Sequence, residues 1–437
     1  MNFESLSDLT TYLQRGISPK YAESGISVIN QKCIRNGQLK NEDIKFHDID
    51  KTYSHEKELR KNDILVNSTG VGTLGRVARF SNEKGKMLAD SHVTIVRPDV
   101  EKIVPLYLFY VLRFNEPTIV ELGAGSTGQT ELSRLALGSL QIPTPNQGVQ
   151  RYVADTLAYI DEKIQSNQML SKTLEEIAQT IFKSWFIDFD PVKAKMAGEK
   201  PVGMDAATAA LFPDSMEESE LGMIPKGWEV TALGDVCATT IGGLWGNDEE
   251  SLENPDSYQC IRGVDMDDLK ALGYAPRVPI RWDKLHNFSK RLLSGTQILI
   301  AGSGAGPVAK SLLWDETMNT LFSKPVVFSN FVKRFECNSN EMASFVSSIL
   351  TTMYESREIF TFVNGTSVPN LQDKELLIGK KVAVPSIDLL QAYDKLKRTS
   401  IKRKYIGENS NLVAIRDSLL PRLISGELQI PEKMLAS

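Results

Sequence analysis

One short stretch of the sequence resembles a phosphate-binding loop. Residues 304–311 read Gly-Ala-Gly-Pro-Val-Ala-Lys-Ser, and glycine-rich loops that end in Lys-Ser or Lys-Thr hold nucleotide phosphates with their backbone amides. That pattern requires glycine directly before the lysine, where the backbone closes around the phosphate, and this chain has Ala309 there. The similar stretch 67–75 in the first half contains no lysine. The residues therefore disfavour a nucleotide-binding site in this loop.

No other pattern carries the chemistry of an enzyme. The histidines show no metal-ligand spacing and no nucleophile–base pairing, and Asp188 and Asp190 are interpreted as solvated carboxylates at a helix end. The chain lacks the Asn/Asp-Pro-Pro-aromatic motif of an adenine methyltransferase and the clustered acids of a metal-dependent nuclease. We therefore expect no catalytic residue, no metal site and no cofactor in this chain. The histidines are His47, His55, His92 and His286.

The composition indicates an ordinary globular protein with room for two or three domains. Of the 437 residues, 41% are hydrophobic and 24% are charged, and no apolar run approaches the roughly 20 residues that span a bilayer. The N-terminus lacks the order of a signal peptide, and four scattered cysteines suit a reducing compartment. We therefore expect a cytoplasmic protein. The net charge of −5 argues mildly against a nucleic-acid coat, although a basic groove can lie on an acidic protein.

Two long helices are predicted to position the loops. Apolar residues recur at intervals of three and four residues from about 146 to 186, with one slip after Asn167, and Asp190-Pro191 is predicted to end this helix. About 40 residues make a rod of roughly 60 Å, which favours a coiled-coil arm over a core helix of a globular domain. The predicted helix–helix interface consists of Leu157, Ile160, Ile164, Leu174, Ile177, Ile181, Leu412, Ile415 and Leu419.

The second helix is predicted to be broken. Its stripe starts at Leu389, but Gly407 lies in its middle and costs about 1 kcal/mol relative to alanine in a helix. We expect a break or kink at that glycine, with Ser410 as the cap of the resumed helix.

The second half of the chain repeats the first. Corresponding residues occur in the same order and lie between 227 residues (Asp8 and Asp235) and 242 residues (Pro143 and Pro385) apart. Ile64-Leu65-Val66 before Gly70 and Gly72 matches Ile298-Leu299-Ile300 before Gly304 and Gly306. The sequence therefore predicts a globular segment and a long helix, followed by a linker and a second copy of both.

Two segments resemble a known family. Residues 182–228, which begin Phe-Lys-Ser-Trp-Phe-Ile-Asp-Phe-Asp-Pro, are similar to the central conserved region of type I restriction–modification specificity subunits. Residues 419–428, Leu-Leu-Pro-Arg-Leu-Ile-Ser-Gly-Glu-Leu, resemble the end of the distal conserved region of that family. The duplication extends the resemblance over the whole chain. The glycine in the second helix and the missing excess of basic residues depart from the pattern.

The resemblance implies an α+β fold class with a pseudo-two-fold internal repeat. Two similar α/β target recognition domains are expected to be separated by two long antiparallel conserved helices, which form a coiled-coil spacer. The expected segments are recognition domain 1 at 1–145, conserved helix 1 at 146–190, a linker at 191–225, recognition domain 2 at 226–385, and conserved helix 2 with the C-terminal tail at 386–437.

The resemblance also implies a function and partners. Each recognition domain is expected to read one half of a bipartite site in double-stranded DNA, and the helices are expected to dock two modification (adenine methyltransferase) subunits. Restriction/translocase subunits complete the expected complex. S-adenosylmethionine, ATP and Mg are expected on those partners, so this chain is expected to be non-catalytic and without membrane association.

Candidate DNA-contacting residues come from two considerations. Polar loops that occur in both halves can read base edges, and positions that differ between the halves can specify different sequences. Glycine-rich repeated loops can equally be turns that only define the fold. The loop candidates are Asn67, Ser68, Thr69, Ser126, Thr127, Gln129, Ser303, Thr366 and Ser367, and the candidates that differ are Arg15, Lys20, Arg35, Arg262 and Lys290.

Two alternatives remain at the level of the sequence. The long helices can belong to a scaffolding protein that simply dimerises through a coiled coil. The chain can also be the recognition subunit of a fused restriction system whose catalytic partner is a single bifunctional chain. Purification from the native host distinguishes the scaffold, which brings no methyltransferase with it.

Overall fold

The computed structural model describes residues 2–81, 85–123, 131–295, 297–304, 306, 308–405, 407–425 and 427. The chain forms two compact units. Unit 1 contains the chain up to Glu162 and again from Val413 onward, and unit 2 contains Lys163–Leu412. Across the described residues, no helix combines the length and the apolar character needed to cross a membrane.

Unit 1 is built from short strands and helices around antiparallel and mixed sheets. One four-stranded sheet has the order β2-β11-β8-β9, another has the order β10-β4-β7-β3, and β1-β12 and β5-β6 are paired separately. The helices are α1 (Pro105–Phe114), α2 (Glu116–Glu121) and α3 (Arg134–Gly138). The strands are β1 (Phe3–Ser5), β2 (Thr10–Arg15), β3 (Tyr21–Ala22), β4 (Ile26–Ile29), β5 (Ile34–Arg35), β6 (Gln38–Leu39), β7 (Lys45–His47), β8 (Ile64–Asn67), β9 (Val77–Arg79), β10 (Met87–Ala89), β11 (Val93–Pro98) and β12 (Gln141–Pro143).

The central strands of unit 1 are apolar on both faces because they separate two cores. Successive side chains of a strand point to opposite faces of the sheet. In β8, Ile64 and Val66 pack into the cluster that contains α1, while Leu65 packs into the cluster on the other side. In β11, Val96 packs into the cluster that contains α1, and Ile95 packs into the cluster on the other side. This two-sided burial explains why both strands read as continuous apolar runs in the sequence.

A 40-residue helix, α4 (Gln147–Phe186), follows β12, and unit 2 contains most of the remaining elements. The helices after it are α5 (Asp190–Met196), α6 (Ala206–Ala210), α7 (Leu233–Val236), α8 (Gly263–Leu272), α9 (Leu285–Phe288), α10 (Asn340–Glu355), α11 (Asp373–Gly379), α12 (Ile387–Tyr405) and α13 (Glu408–Ile424). The strands are β13 (Met216–Ser219), β14 (Gly222–Pro225), β15 (Glu229–Ala232), β16 (Cys237–Thr239), β17 (Asp256–Ile261), β18 (Ile280–Asp283), β19 (Gln297–Ala301), β20 (Ser311–Leu313), β21 (Val326–Phe328), β22 (Val332–Cys337), β23 (Val363–Asn364), β24 (Asn370–Leu371) and β25 (Lys381–Val384).

The predicted internal repeat is confirmed by the strand topology. The order β2-β11-β8-β9 in unit 1 recurs as β16-β22-β19-β20 in unit 2, and the pair β1-β12 recurs as β15-β25. The parallel pair β4-β10 likewise recurs as β17-β21. The predicted α+β class with a repeated domain and long helices is therefore correct, whereas the proposed domain boundaries stay a prediction.

The segment after α4 is more structured than a linker. The helix ends at Phe186, because Phe189 adopts a left-handed backbone with φ of 56°, and Pro191 lies in the first turn of α5. Proline suits a first helical turn, where its missing amide would have no partner. The expectation that Asp190-Pro191 only ends a helix and opens a linker is therefore wrong. The segment 191–225 contains α5, α6 and the hairpin β13-β14.

An aromatic cluster explains why this segment is ordered. Phe182, Trp185 and Phe186 at the end of α4 are buried in the core of unit 2. The ring of Trp185 lies 5.2 Å from that of Phe212, and the ring of Phe186 lies 5.9 Å from that of Trp228. Edge-on and tilted pairs at these distances are favourable geometries for aromatic rings. The segment that carried the family resemblance is therefore folded back onto the end of its own helix.

The predicted helix–helix interface is partly wrong. Leu157, Ile160 and Ile164 are buried, but Ile177 is 49% exposed and Ile415 is 47% exposed. The buried positions of α4 continue the heptad through Ser171 and Ala178, without the predicted slip after Asn167. Ser171 is polar, so the apolar residues alone do not show that the buried heptad is continuous. Leu174, Ile181, Leu412 and Leu419 are half-buried.

The predicted break of the second helix is confirmed. Helix α12 ends at Tyr405, α13 begins at Glu408, and Gly407 has a left-handed φ of 80°. Glycine adopts that conformation without the steric cost that a Cβ imposes. Ser410 does not cap α13 as expected, because it lies inside that helix and its hydroxyl donates a hydrogen bond to the carbonyl of Gly407 at 2.8 Å.

Truncation of one buried and one exposed residue of α4 tests which face of the helix is buried. Leu157 has no exposed surface, so Leu157→Ala is expected to lower the free energy of unfolding by about 2–5 kcal/mol. Ile177→Ala removes an exposed side chain and is expected to change it by less than about 0.5 kcal/mol. Urea unfolding of the full chain measures both variants. Equal losses would contradict this assignment of the buried face.

Candidate nucleic-acid interface

Equivalent loops follow the central strands of the two units. In unit 1 the amide of Gly75 donates to the carbonyl of Asn67 at 2.8 Å, and in unit 2 the amide of Ala309 donates to Ala301 at 2.8 Å. Gly75 has a φ of 82° and Ala309 a φ of 65°. Ala309 thus keeps the left-handed turn of its counterpart at a steric cost of about 1–2 kcal/mol. This loop shape, rather than a phosphate site, accounts for the glycine-rich sequence.

In each unit, a second segment of the chain forms backbone hydrogen bonds with this loop, and the bonding pattern is the same in both units. In unit 1, Thr69 forms a β-bridge with Glu131, and the amide of Leu132 donates to the carbonyl of Ser68 at 2.9 Å. In unit 2, Ser303 forms a β-bridge with Asn370. The amide of Leu371 likewise donates to the carbonyl of Gly302 at 2.8 Å. The structure therefore brings Ser303 beside the segment that follows the predicted residues Thr366 and Ser367, both of which are exposed.

The residue directly before β11 in unit 1, and directly before β22 in unit 2, completes each loop cluster. This residue differs between the units. The carbonyl of His92 accepts from the amide of Ser68 at 2.8 Å, and the carbonyl of Phe331 accepts from Gly302 at 2.8 Å. His92 and Phe331 therefore occupy the same structural position. Both side chains are exposed, with Phe331 at 61%. The same backbone thus presents an imidazole in one unit and an aromatic hydrocarbon in the other.

The unit 1 cluster is rich in hydrogen-bonding groups. The hydroxyl of Thr69 lies 2.8 Å from Nδ1 of His92 and 3.4 Å from Oε1 of Gln31. Hydroxyl, imidazole and amide groups can each donate and accept hydrogen bonds. Such a group of side chains can read the pattern of donors and acceptors on base edges. The neighbouring candidates Ser126, Thr127 and Gln129 lie outside the described residues.

The unit 2 cluster surrounds a cavity of 360 Å³. The ammonium group of Lys333 lies 3.4 Å from a carboxylate oxygen of Asp373, so a charged pair stands at this wall. Amides can bond a base edge, a lysine can bond a phosphate or guanine, and an exposed ring can contact a thymine methyl. The cavity is lined by Gly302, Ser303, Asn330, Phe331, Lys333, Val368 and Asn370.

Two loop candidates are structural instead. Asn67 and Ser68 have no exposed surface. The side-chain amide of Asn67 donates to the backbone carbonyls of Gln31 at 3.0 Å and Thr73 at 3.1 Å. The hydroxyl of Ser68 lies 2.6 Å from that of Thr94. Both side chains are committed to holding the loop, so they cannot reach a base edge while the loop keeps this shape.

Two arginine candidates are engaged within their units. A guanidinium nitrogen of Arg15 bonds Glu131 at 2.8 Å and the carbonyl of Leu132 at 2.9 Å, which fastens the segment beside Thr69. Arg262 bonds both carboxylate oxygens of Asp265, and these hydrogen bonds raise the pKa of Arg262. The expectation that Arg262 is presented to a groove is not supported, because its guanidinium is held by its own helix.

The remaining basic candidates are exposed but separate from the loop clusters. Lys20 precedes β3, Arg35 ends β5 and is 3.7 Å from Asp43, and Lys290 lies in a 3-10 turn at 289–291. Among the residues that the structure describes, none of the three side chains bonds to these loop clusters. Their contact with DNA stays a prediction.

Sequence reasoning missed His92, Asn330 and Phe331. Their signal was the repeat itself, because Ser91-His92-Val93 aligns with Asn330-Phe331-Val332 at an offset of 239 residues (332 − 93). Glycines and hydroxyl residues drew attention to the loops, whereas the exposed residue before an apolar strand has no motif. Among the described residues, no group of three or more His, Cys, Asp or Glu side chains could hold a metal ion.

Comparison with known proteins shows what this chain is similar to. Residues 2–176 match the family model described as "Type I restriction modification DNA specificity domain". The chain is 24% identical over 428 residues to the Type I restriction enzyme HindI specificity subunit of Haemophilus influenzae, covering 85% of this chain and 88% of that protein. It is 25% identical over 339 residues to the MjaIX specificity subunit of Methanocaldococcus jannaschii, covering 76% of this chain and 70% of the relative.

A solved structure has the same fold. The crystal structure of the type I restriction–modification S subunit from M. genitalium aligns over 97% of this chain and 95% of its own, with a TM-score of 0.51 and 18% identity. The repeated units and the family match define a protein that carries a type I DNA specificity domain. The chain is similar to the specificity subunits of type I restriction–modification systems over most of its length.

Removal of Asn67 tests its structural assignment. Asn67→Ala leaves the carbonyls of Gln31 and Thr73 without their buried donor, which is expected to cost about 1–3 kcal/mol of stability. Lys20→Ala in the same unit removes an exposed side chain and is expected to leave stability within about 0.5 kcal/mol. Calorimetric unfolding of the full chain measures both. An Asn67 variant as stable as the Lys20 variant would contradict the assignment.

Proposed function

We propose that this chain is the DNA-recognition subunit of its restriction–modification complex and that each unit reads one half of a bipartite site. One observation carries the proposal. The same loop cluster occurs twice, on matching backbone, with His92 in one copy and Phe331 in the other. Shared backbone with different exposed side chains is the arrangement expected of two readers with different target sequences.

The chemistry of the clusters supports different half-sites. Thr69, His92 and Gln31 present donors and acceptors, which suit hydrogen bonds to purine edges in the major groove. Phe331 and Asn330 present an aromatic ring and an amide, which suit a thymine methyl and an adenine edge. Lys333 is near enough to the same cavity to position a phosphate. We therefore propose that the unit 2 half-site is richer in A·T pairs than the unit 1 half-site.

We also propose that the long helices dock the partner subunits. Leu170 and Ile177 are seven residues apart on α4, so they share one face of the helix, and they are 43% and 49% exposed. Exposed apolar side chains on one face suit a protein partner. The partners are two modification methyltransferase subunits and the restriction/translocase subunits. S-adenosylmethionine, ATP and Mg belong to those partners, and this chain is non-catalytic and cytoplasmic.

Substitution of His92 and of Phe331, which occupy equivalent positions, tests whether each unit reads one half-site. The chain is expressed with its modification subunit, and methylated sites are mapped across a genome. His92→Ala is expected to relax one half of the motif by about 10- to 100-fold, since a good base contact contributes about 1–3 kcal/mol of discrimination. Phe331→Ala is expected to relax the other half. Relaxation of the same half by both variants, or of both halves by either, would overturn the proposal.

A charge on the exposed face of α4 tests docking. Leu170→Asp combined with Ile177→Asp is expected to weaken co-purification with the modification subunit by tenfold or more, because each buried apolar side chain contributes about 1.5–3 kcal/mol. Val202→Asp provides the matched control, because Val202 is 94% exposed and lies outside the long helices. Undiminished co-purification of the double variant would exclude this face as the docking site.

A further inference from the structure

A cavity of 520 Å³ in unit 2 collects lysine side chains. Its walls are formed by α4, α10, α12 and β20, with the end of α8 at one side. Lys172 and Lys183 come from α4, Lys270 from α8 and Lys397 from α12. Glu175, Glu176 and Glu355 also line it. The cavity is distinct from the loop cluster of unit 2, with which it shares no lining residue.

Two of these lysines have no partner for their charge. In the part of the chain that the structure describes, the ammonium groups of Lys270 and Lys397 form no hydrogen bond and no ion pair within 4.0 Å. The neighbouring Lys404 instead bonds Glu175 at 3.0 Å. Burial lowers the pKa of Lys397 to about 8 and also lowers that of Lys270. Both lysine side chains are half-buried, and an ammonium group that is partly withdrawn from water is normally paired with an opposite charge.

Buried hydroxyls add unused donors to the same space. Ser311 on β20 and Ser347 on α10 are each 4% exposed, and both line the cavity. Neither hydroxyl has a hydrogen-bond partner among the described residues. Both hydroxyls are therefore open to a ligand in the cavity, as is the unpaired side-chain oxygen of Gln179, which also lines it. Two ammonium groups and two hydroxyls without acceptors match a ligand that supplies several acceptor oxygens, and the Gln179 oxygen can accept from a donor group of the same ligand.

We propose that this cavity binds the phosphate group of a small phosphorylated molecule, held by Lys270 and Lys397 with the hydroxyls of Ser311 and Ser347. Leu312, Leu313 and Ile401 give the cavity an apolar wall for the organic part of the ligand. Its volume lies within the range of about 300–1,000 Å³ that small-molecule sites occupy.

The charges around Lys397 define how binding responds to pH. Glu175 and Glu355 favour its charged form, while Lys270 and Lys404 oppose it. Lys172, Lys183 and Glu176 stand at the same cavity from α4. A bound phosphate adds negative charge and raises the pKa of Lys397. Binding at pH 8 therefore takes up protons, and the affinity falls as the pH rises through about 8, where the free ammonium loses its proton.

Calorimetric titration of the full chain tests the site. Inorganic phosphate and ATP serve as probes, and we expect saturable binding of at least one of them. Lys397→Gln and Lys270→Gln are each expected to weaken it about tenfold or more, because bonds to charged groups are strong. Lys402→Gln is the matched control, because Lys402 is an exposed residue of the same helix that does not line the cavity. Buffers of different ionisation enthalpy measure the proton uptake at pH 8.

The outcomes are separable. No saturable binding of either probe, or equal weakening in the Lys402 variant, would overturn the proposal. Ser347→Ala provides a variant with a minimal change of volume, and it should weaken binding several-fold while the unfolding temperature stays unchanged. A short DNA duplex carrying the recognised site is titrated in parallel. DNA affinity that survives in Lys397→Gln supports a small-molecule ligand, whereas its loss would assign the cavity to a DNA phosphate and overturn the proposal.

Discussion

The carboxylate of Asp161 ties the end of the chain to the first unit. One oxygen accepts hydrogen bonds from the hydroxyl of Tyr110 at 2.9 Å and from Arg113 at 2.9 Å, and the other accepts from Arg416 at 2.8 Å. These residues lie on α1, α4 and α13, so one charge joins three helices of unit 1. Burial opposes the charge of Arg416, but the bonds with Asp161 hold its pKa above the usual value. A partly buried group of this kind depends on every member, since an unpaired buried charge costs about 3–5 kcal/mol.

Apolar packing also holds α13 in the core of unit 1. Leu420, Leu423 and Ile424 of α13 enter the same core as Val153 and Leu157 of α4. Unit 1 is therefore built from both ends of the chain, and its stability depends on residues that the chain reaches last. The α13 segment from Val413 belongs to this unit, while its first turn belongs to unit 2. A boundary drawn at the start of the second helix separates residues that share a core.

Polar residues occupy the middle of the helical seam. The side-chain amide of Asn167 donates to the side-chain oxygen Oδ1 of Asn409 at 3.1 Å, and the ammonium group of Lys163 lies 3.4 Å from a carboxylate oxygen of Glu408. Asn409 and Ser171 are almost fully buried. A buried amide pair adds little stability, but in coiled coils it specifies register, because any other alignment leaves the amides without partners.

The sequence determined the elements whose signal is local or repeated. The long helix, the β11 strand, the break at Gly407 and the duplication were all predicted, because periodicity, glycine and offset are properties of the chain itself. The resemblance to type I specificity subunits likewise came from the segments around Trp185 and Leu420, whose aromatic and apolar residues form cores.

Only the tertiary structure decided which members of each element face outward. Asn67 and His92 are both polar residues at the ends of apolar strands, yet the first is buried by bonds to Gln31 and Thr73 while the second is exposed. Ile177 is exposed and its neighbour Ala178 is buried. The buried heptad of α4 includes the polar residue Ser171, so the apolar residues alone do not reveal it. Contacts between residues far apart in sequence settle these choices, and the local pattern contains no record of those contacts.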